Sequence, residues 1–290
     1  MSAIPLRYTQ NFLRDPKLIE RLLAASDLTH VDTVYEIGPG TGIITDQLVR
    51  RCRRVVAIEK DADLAHKLQE RYAGQGQVAI HAGDFLAHPL PRESYKVFAN
   101  IPFNCTHAIV TKLTRAAVPP QTAYLVMQRE AAHKFCGLGR EYLYSILLKP
   151  WFEIDVVYQF QRSDFIPMPQ VEAVLLRIRK RGPPLVTGRD RQAFRDFAVY
   201  SFTGHQPTLS QILKNILTHR QQQQARRLLK LDFDATPSML SFPQWLQLIH
   251  YFMQVSDGQA RQTICGSEQH WQQRQAHLHK IHRTRFTARK

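Results

Sequence analysis

The 290-residue chain is poor in cysteine, has no long apolar run and is short of negative charge. Its four cysteines, Cys52, Cys105, Cys136 and Cys265, are scattered and never fall at C-x-x-C spacing. This excludes a disulfide framework and points to a reducing compartment. No apolar stretch is long enough to span a bilayer, and the segment "MSAIPLRYTQNFLRDP" has no apolar signal core. A cytoplasmic protein is expected. Asp and Glu number 24 against 39 Lys and Arg, a formal net charge of +15. An excess of this size favours a polyanionic partner, nucleic acid before an anionic membrane surface. Colloidal solubility alone is the plainer alternative. At 44% hydrophobic and 22% charged residues, the rest is the composition of a folded chain.

From Val31 to about Lys180, short apolar β-rich runs alternate with longer amphipathic ones. "DTVYEIG", "RVVAIEK", "QVAIHAGDF", "YKVFAN", "TAYLVMQ", "FEIDVVYQF" and "EAVLLRIRK" read as strands. Most are separated by helical patterns such as "GIITDQLVRRC" and "DADLAHKLQERYA". Such alternation predicts an α/β fold, a mostly parallel seven-stranded sheet with helices on both faces. The last two strands are joined by "QRSDFIPMPQV", which holds no helix, so they are expected to pair antiparallel at the sheet edge. The Gly- and Pro-dense linker "RGPPLVTGRD" then opens a region with helical periodicity only. The expected organisation is a sheet domain over 1–181, a small all-helical domain over 182–256, and a basic, partly disordered tail over 257–290.

Four strand ends carry candidate chemistry. "EIGPGTG" places Gly38, Gly40 and Gly42 between a strand and a helix, where backbone N–H groups can approach a ligand. The spacing departs from G-x-G-x-x-G, because Gly42 stands one place early and Ile43 occupies the next position. Glu59, at the end of the second strand, suits both hydroxyls of a ribose, which fits NAD and an S-adenosyl ligand equally. Asp84, at the end of the third, suits an adenine amino group, with Phe85 beside the ring. The fourth strand ends in "NIPF". There Asn100 offers an amide, Ile101 a carbonyl, Pro102 a fixed backbone and Phe103 a ring face. These suit a planar base with an exocyclic amine; a proline turn with a core Phe is the plainer alternative.

In one order stand "QNFL" (Gln10–Leu13), "EIGPGTG", Glu59, "GDF", "NIPF" and "FIPMPQVEA" (Phe165–Ala173). In these motifs the chain resembles the rRNA adenine N6-methyltransferases, closely over about 8–180 and loosely beyond. The resemblance implies a Rossmann-like class I methyltransferase using S-adenosylmethionine without a metal. It implies that Asn11 and Leu13 close over the cofactor, that Gly38 lies against its amino-acid portion, and that Glu59 and Asp84 take its ribose and adenine. It also implies that Asn100 bridges cofactor and target base, that Phe103 stacks on the target adenine, and that Phe165 covers that base's other side.

The family has two branches. One is the Erm enzymes, which methylate large-subunit (23S) rRNA and give macrolide, lincosamide and streptogramin B resistance. The other is the housekeeping dimethyltransferases of small-subunit (16S) rRNA. "NIPF", rather than "NLPY", and the modest helical region lean toward Erm, acting as a monomer on naked or partly assembled rRNA. A non-catalytic RNA or transcription-factor module is a third reading, which the intact "NIPF" opposes. A nicotinamide dehydrogenase is a fourth, opposed by the glycine spacing. Arg261, Arg274, Lys280, Arg283, Arg285, Arg289 and Lys290 are expected to meet phosphates, with Trp271 and Phe286 stacking on bases. "RRCRR" (Arg50–Arg54) and "RIRKR" (Arg177–Arg181) are expected to extend that basic face. A metal site from Cys265, His270, His277, His279 and His282 is disfavoured, since zinc sites want tighter, paired spacing.

Overall fold

The computed structural model describes residues 11–188, 190–204, 208–230, 232 and 234–275. Contacts divide the chain into a sheet unit, up to Cys136 plus Phe152–Gly182, and a helical unit, Gly137–Trp151 plus the chain from Pro183.

In the sheet unit β1 (Phe12–Leu13) leads into α1 (Pro16–Ala24), then β2 (Thr33–Ile37), α2 (Ile43–Arg51), β3 (Arg54–Glu59), α3 (Ala62–Arg71) and β4 (Val78–Ala82). It continues through β5 (Lys96–Asn100), α4 (Thr106–Arg115), β6 (Thr122–Gln128) and α5 (Arg129–Cys136). After the helical excursion, which contains α6 (Leu143–Leu148), come β7 (Phe152–Gln159), β8 (Phe165–Ile166) and β9 (Ala173–Lys180). Seven strands form one sheet in the order β4-β3-β2-β5-β6-β9-β7. β9 runs antiparallel to both β6 and β7, and its pairing with β7 is the one the helix-free connection predicts. β5 and β6 are buried along nearly their whole length, the signature of a sheet covered on both faces. β1 and β8 form a separate antiparallel ribbon, with Leu13 opposite Phe165 and Phe12 opposite Ile166. The sequence reading assigned neither strand, because two residues give no periodicity to detect.

Local chemistry sets the helix starts. Asp15 accepts the Lys17 N–H at 2.9 Å and Pro16 follows it, a capped entry to α1. Asp61 accepts from the N–H groups of Asp63 and Leu64 at the start of α3. Gly42 precedes α2 with φ +85°, and a Cβ there would lie 2.8 Å from Leu68 Cδ2 of α3. The helix can therefore enter at that point only with glycine.

The helical unit contains α6, α7 (Asp190–Thr203), α8 (Leu209–Leu213), α9 (His219–Leu229), α10 (Phe242–Val255), α11 (Gly258–Ile264) and a helical stretch at 267–275. Its core holds Phe194, Phe197, Trp245 and Phe252, each essentially sealed from solvent. Two expectations change here. Residues 137–151, expected in the sheet domain, group with the helices, and Ile146 and Leu147 lie in their core. The boundary expected at 257 falls inside the unit: Ala260 and Ile264 are buried, and Trp271 packs against the same core, 5.8 Å from the Tyr144 ring. Trp271 is thus a packing residue here rather than an open base platform. Lys280, Arg283, Arg285, Phe286, Arg289 and Lys290, with His277, His279 and His282, lie outside the described residues.

The polar anchor of this region is Arg195 on α7. Its Nε donates to both Glu268 oxygens at 2.9 Å and its Nη1 to the Leu147 carbonyl at 3.1 Å. The Glu268 N–H returns to Asp196 at 2.9 Å. Glu268 is 4% exposed, so truncating it strands a buried guanidinium. Glu268→Ala is expected to lower the unfolding free energy by roughly 3–5 kcal/mol, read as a shift of the urea midpoint.

Candidate functional site

Parallel pairing brings the carboxyl ends of β2, β3, β4 and β5 to one edge of the sheet, and their terminal residues carry the chemistry. The Glu59 carboxylate sits at the centre. Its Oε2 accepts the Gly40 N–H and its Oε1 the Asp61 N–H, both at 2.9 Å, and the residue is 1% exposed. A carboxylate has about four acceptor positions, so two remain for a ligand. Gly38 has φ +67° and a Cβ built on it would meet nothing within 4 Å, so that side of the residue is open, while its N–H is tied to the Ile58 carbonyl of β3 at 2.9 Å.

Gly38, Glu59, Lys60, Asp84, Phe85 and Pro102 help to line a cleft of about 350 Å³. Asp84 accepts the Leu86 N–H at 2.9 Å and the Lys60 ammonium at 2.8 Å. The Lys60 hydrogen bond, supported by Leu86, holds its carboxyl below the usual carboxylate range. Phe85 is buried beside it. An unobstructed glycine, a buried acid with acceptor positions to spare, an ionised amine acceptor and an aromatic wall fit an adenine nucleoside with an extended charged tail.

A second, pinched cleft of about 20 Å³, room for about one water molecule, adjoins the first. It is lined by Asn11, Phe12, Gly38 and the Asn100–Phe103 turn. Gly38 and Pro102 line both clefts. The Asn100 Nδ2 donates to the Asn11 carbonyl at 2.6 Å, which leaves its Oδ1 as the acceptor facing the cleft. The Ile101 N–H is tied to the Val126 carbonyl of β6 at 3.3 Å, and Pro102 fixes the next φ at −60°.

The structure thus gathers Asn11, Gly38, Glu59, Asp84, Phe85 and Asn100–Phe103 into one region. It does not place Leu13 or Phe165 there. Leu13 (3% exposed) and Phe165 (1%) face each other across the ribbon and point into the core beside Phe98 and Phe160. Side chains alternate along a strand, so Phe12 takes the cleft side instead and Ile166 turns to solvent. Leu13 and Phe165 thus brace the ribbon from below. Gly40 also changes role. A Cβ on it would sit 2.4 Å from Phe12 Cε1, so the glycine admits that ring while its N–H holds Glu59.

Of the basic runs, "RIRKR" is largely consumed within the sheet. Arg177 pairs with Asp155 at 2.9 Å across the β7–β9 register, and Arg179 and Arg181 pair with Glu153. In "RRCRR", Arg51 donates to the Leu28 carbonyl at 3.0 Å, while Arg53 and Arg54 are exposed. Arg261 donates to the Met253 carbonyl and Ser256, and closes the turn between α10 and α11. Among the described residues no group of three or more His, Cys, Asp or Glu is placed to hold a metal. No helix there is long and apolar enough to cross a membrane.

Glu36, beneath the glycine loop, was not singled out by sequence. Its Oε2 accepts the Thr45 hydroxyl at 2.7 Å, and its Oε1 has no partner among the described residues. Complete burial, with the Glu59 charge a lesser cause, pushes its pKa up to about 8. A carboxyl raised in the fold favours folding below its unfolded value and loses that advantage as pH climbs through about 8. Wild-type stability is therefore expected to decline between pH 5 and 8, and Glu36→Gln to flatten the decline by about 2 kcal/mol or more in urea titrations.

With this geometry, the known proteins that resemble the chain can be set beside it. Residues 1–254 match the family model "Ribosomal RNA adenine dimethylase". An rRNA adenine N-6-methyltransferase of Bacillus licheniformis is 30% identical over 247 residues, 84% of this chain and 86% of that one. Ribosomal RNA small subunit methyltransferase A of a Synechococcus strain is 31% identical over 253 residues, 83% of this chain and 90% of that one. The crystal structure of the 23S rRNA methyltransferase ErmE superposes with a TM-score of 0.78 at 31% identity, covering 84% of this chain and all of that one. The chain belongs to the ribosomal RNA adenine dimethylase family and is an rRNA adenine N6-methyltransferase.

Proposed function

We propose that the protein transfers a methyl group from S-adenosylmethionine to the exocyclic N6 of one adenine in 23S rRNA. The modification would give resistance to macrolide, lincosamide and streptogramin B antibiotics. The observation that carries this reading is the shared wall: a nucleoside-sized cleft and an amide-lined cleft meet at Gly38 and Pro102. A donor in one would face an acceptor nitrogen in the other. The likeness to ErmE, and the "NIPF" form of the turn, support the large-subunit branch. The similarity to a small subunit methyltransferase supports 16S rRNA as a second reading.

Bound S-adenosylmethionine supplies a sulfonium-activated methyl group. The chain's own part is position and polarisation, because N6 is a weak nucleophile whose lone pair is delocalised into the ring. With its Nδ2 held by Asn11, Asn100 presents Oδ1 to one N6 hydrogen, and the Ile101 carbonyl takes the other. Two such acceptors favour a pyramidal nitrogen with its lone pair directed at the shared wall. Phe103 offers a face for the purine. The second cleft is too narrow for a base, so the Asn11–Phe12 segment must shift as the adenine enters. The base itself must leave its RNA stack, because the donor cleft is recessed. After transfer the nitrogen sheds a proton to water, with no strong base required.

Asn100→Ala is expected to lower kcat by about 100-fold or more while cofactor affinity moves less than about threefold, read by steady-state kinetics and calorimetry. Unchanged turnover in that variant rules the role out. The substrate is tested with labelled cofactor on purified 23S and 16S rRNA, and the site mapped by primer extension. Label at one 23S adenine is expected; label on 16S rRNA alone would favour the second reading.

A further inference from the structure

α4 starts directly after the Asn100–Phe103 turn, yet its most connected side chain reaches the opposite end of the donor cleft. Lys112 Nζ donates to the carbonyls of Phe85 at 2.7 Å, Leu86 at 2.9 Å and His88 at 2.5 Å. An ammonium has three hydrogens, and here three carbonyls take them. The same ammonium lies over the Phe85 ring, 5.0 Å from its centroid. The turn it grips is the one that carries Asp84. The N–H groups of Ala87 and His88 close back on the Asp84 carbonyl at 2.9 and 3.0 Å, and the Leu86 N–H orients the Asp84 carboxylate. The turn's carbonyls therefore gather on Lys112, while Asp84 and Phe85 line the cleft.

The partners of Lys112 also set it apart from an ordinary ion pair. They are neutral carbonyls, and burial lowers its pKa below the usual lysine value. The Asp84 charge opposes that effect but does not outweigh it. What the ammonium provides is geometry: three convergent contacts on successive parts of one turn, from a helix rooted at the target-base motif.

We propose that Lys112 is a positioning residue for the methyl donor. Its ammonium fixes the Asp84–His88 turn so that Asp84 and Phe85 recognise the donor's adenine, and it couples that turn to the helix carrying the acceptor site. This rests on S-adenosylmethionine being the donor. Without the ammonium, the three carbonyls lose their common partner, the turn relaxes, and the Asp84 carboxylate no longer meets the 6-amino group at a fixed place. The loss falls on recognition of the base more than on the chemical step.

The test uses calorimetry on the full chain with two probes, S-adenosylhomocysteine and its inosine counterpart, in which a keto group replaces the 6-amino group. The wild-type protein is expected to prefer the adenosine form by about tenfold or more, since a site built for an amine rejects the analogue lacking it. Lys112→Met is expected to weaken S-adenosylhomocysteine about tenfold and bring the preference toward unity. Its KM for the donor should rise while kcat at saturation stays within about threefold. Lys112→Gln, which keeps a donor, should fall between the two and decides the matter if the Met variant does not fold. An unchanged adenosine-to-inosine preference, or a fall in kcat with KM unaltered, overturns the proposal. A wild-type protein that binds neither probe overturns instead the donor reading beneath it.

Discussion

The site depends on one buried carboxylate. Glu59 ends β3 with both oxygens turned to backbone: one holds Gly40 of the loop after β2, the other Asp61 at the start of α3. Hydrogen bonds to an ionised acceptor are among the stronger ones, and they offset the cost of burying the charge. They also fix the glycine loop against the neighbouring strand end. Gly38 then stands open between the two clefts, Gly40 lies under Phe12, and Gly42 lets α2 pass close to α3. If Glu59 were removed, the β2–β3 ladder and the Gly38 N–H on the Ile58 carbonyl would still hold the start of the loop, but Gly40 would lose its tie to the end of β3.

Much of this was legible in the sequence, for a physical reason. Strands covered on both faces are apolar along their length, so β3, β5 and β6 stand out between amphipathic helices, while the edge strand β7 shows instead as alternation. The antiparallel edge followed from a connection with no helix in it. The strand-end residues Gly38, Glu59, Asp84 and Asn100 were readable because a parallel sheet delivers all its carboxyl ends to one side. The ribbon of β1 and β8 was not. Its register joins residues about 150 positions apart, which no local pattern reveals. That register decides that Phe12 faces the cleft while Leu13 and Phe165 face the core. Motif membership identified segments that the fold brings together, but alternation assigned the side chains.

Lys112 and Arg195 show the same limit from another side. In the sequence each is one more basic residue on an amphipathic helix. Only the fold makes the first a clamp on three carbonyls and the second the partner of a glutamate 73 positions away. Composition likewise concealed the excursion of 137–151, whose apolar residues join the helical core although their position in the chain places them inside the sheet unit.

The ladder of β7 and β9 bears on how the protein handles polyelectrolytes. Each phosphate neutralised by a free cation releases condensed counterions, and the salt sensitivity of binding counts those cations. Arg177, Arg179 and Arg181 already have carboxylates opposite them, so an RNA strand would gain little by displacing Asp155 and Glu153. The chain's 39 Lys and Arg therefore overstate the cations free to meet phosphate at this edge of the sheet. Salt dependence measured on RNA would register the exposed arginines and lysines elsewhere, so that cross-strand pairing within the fold helps to set how ionic strength tunes the encounter.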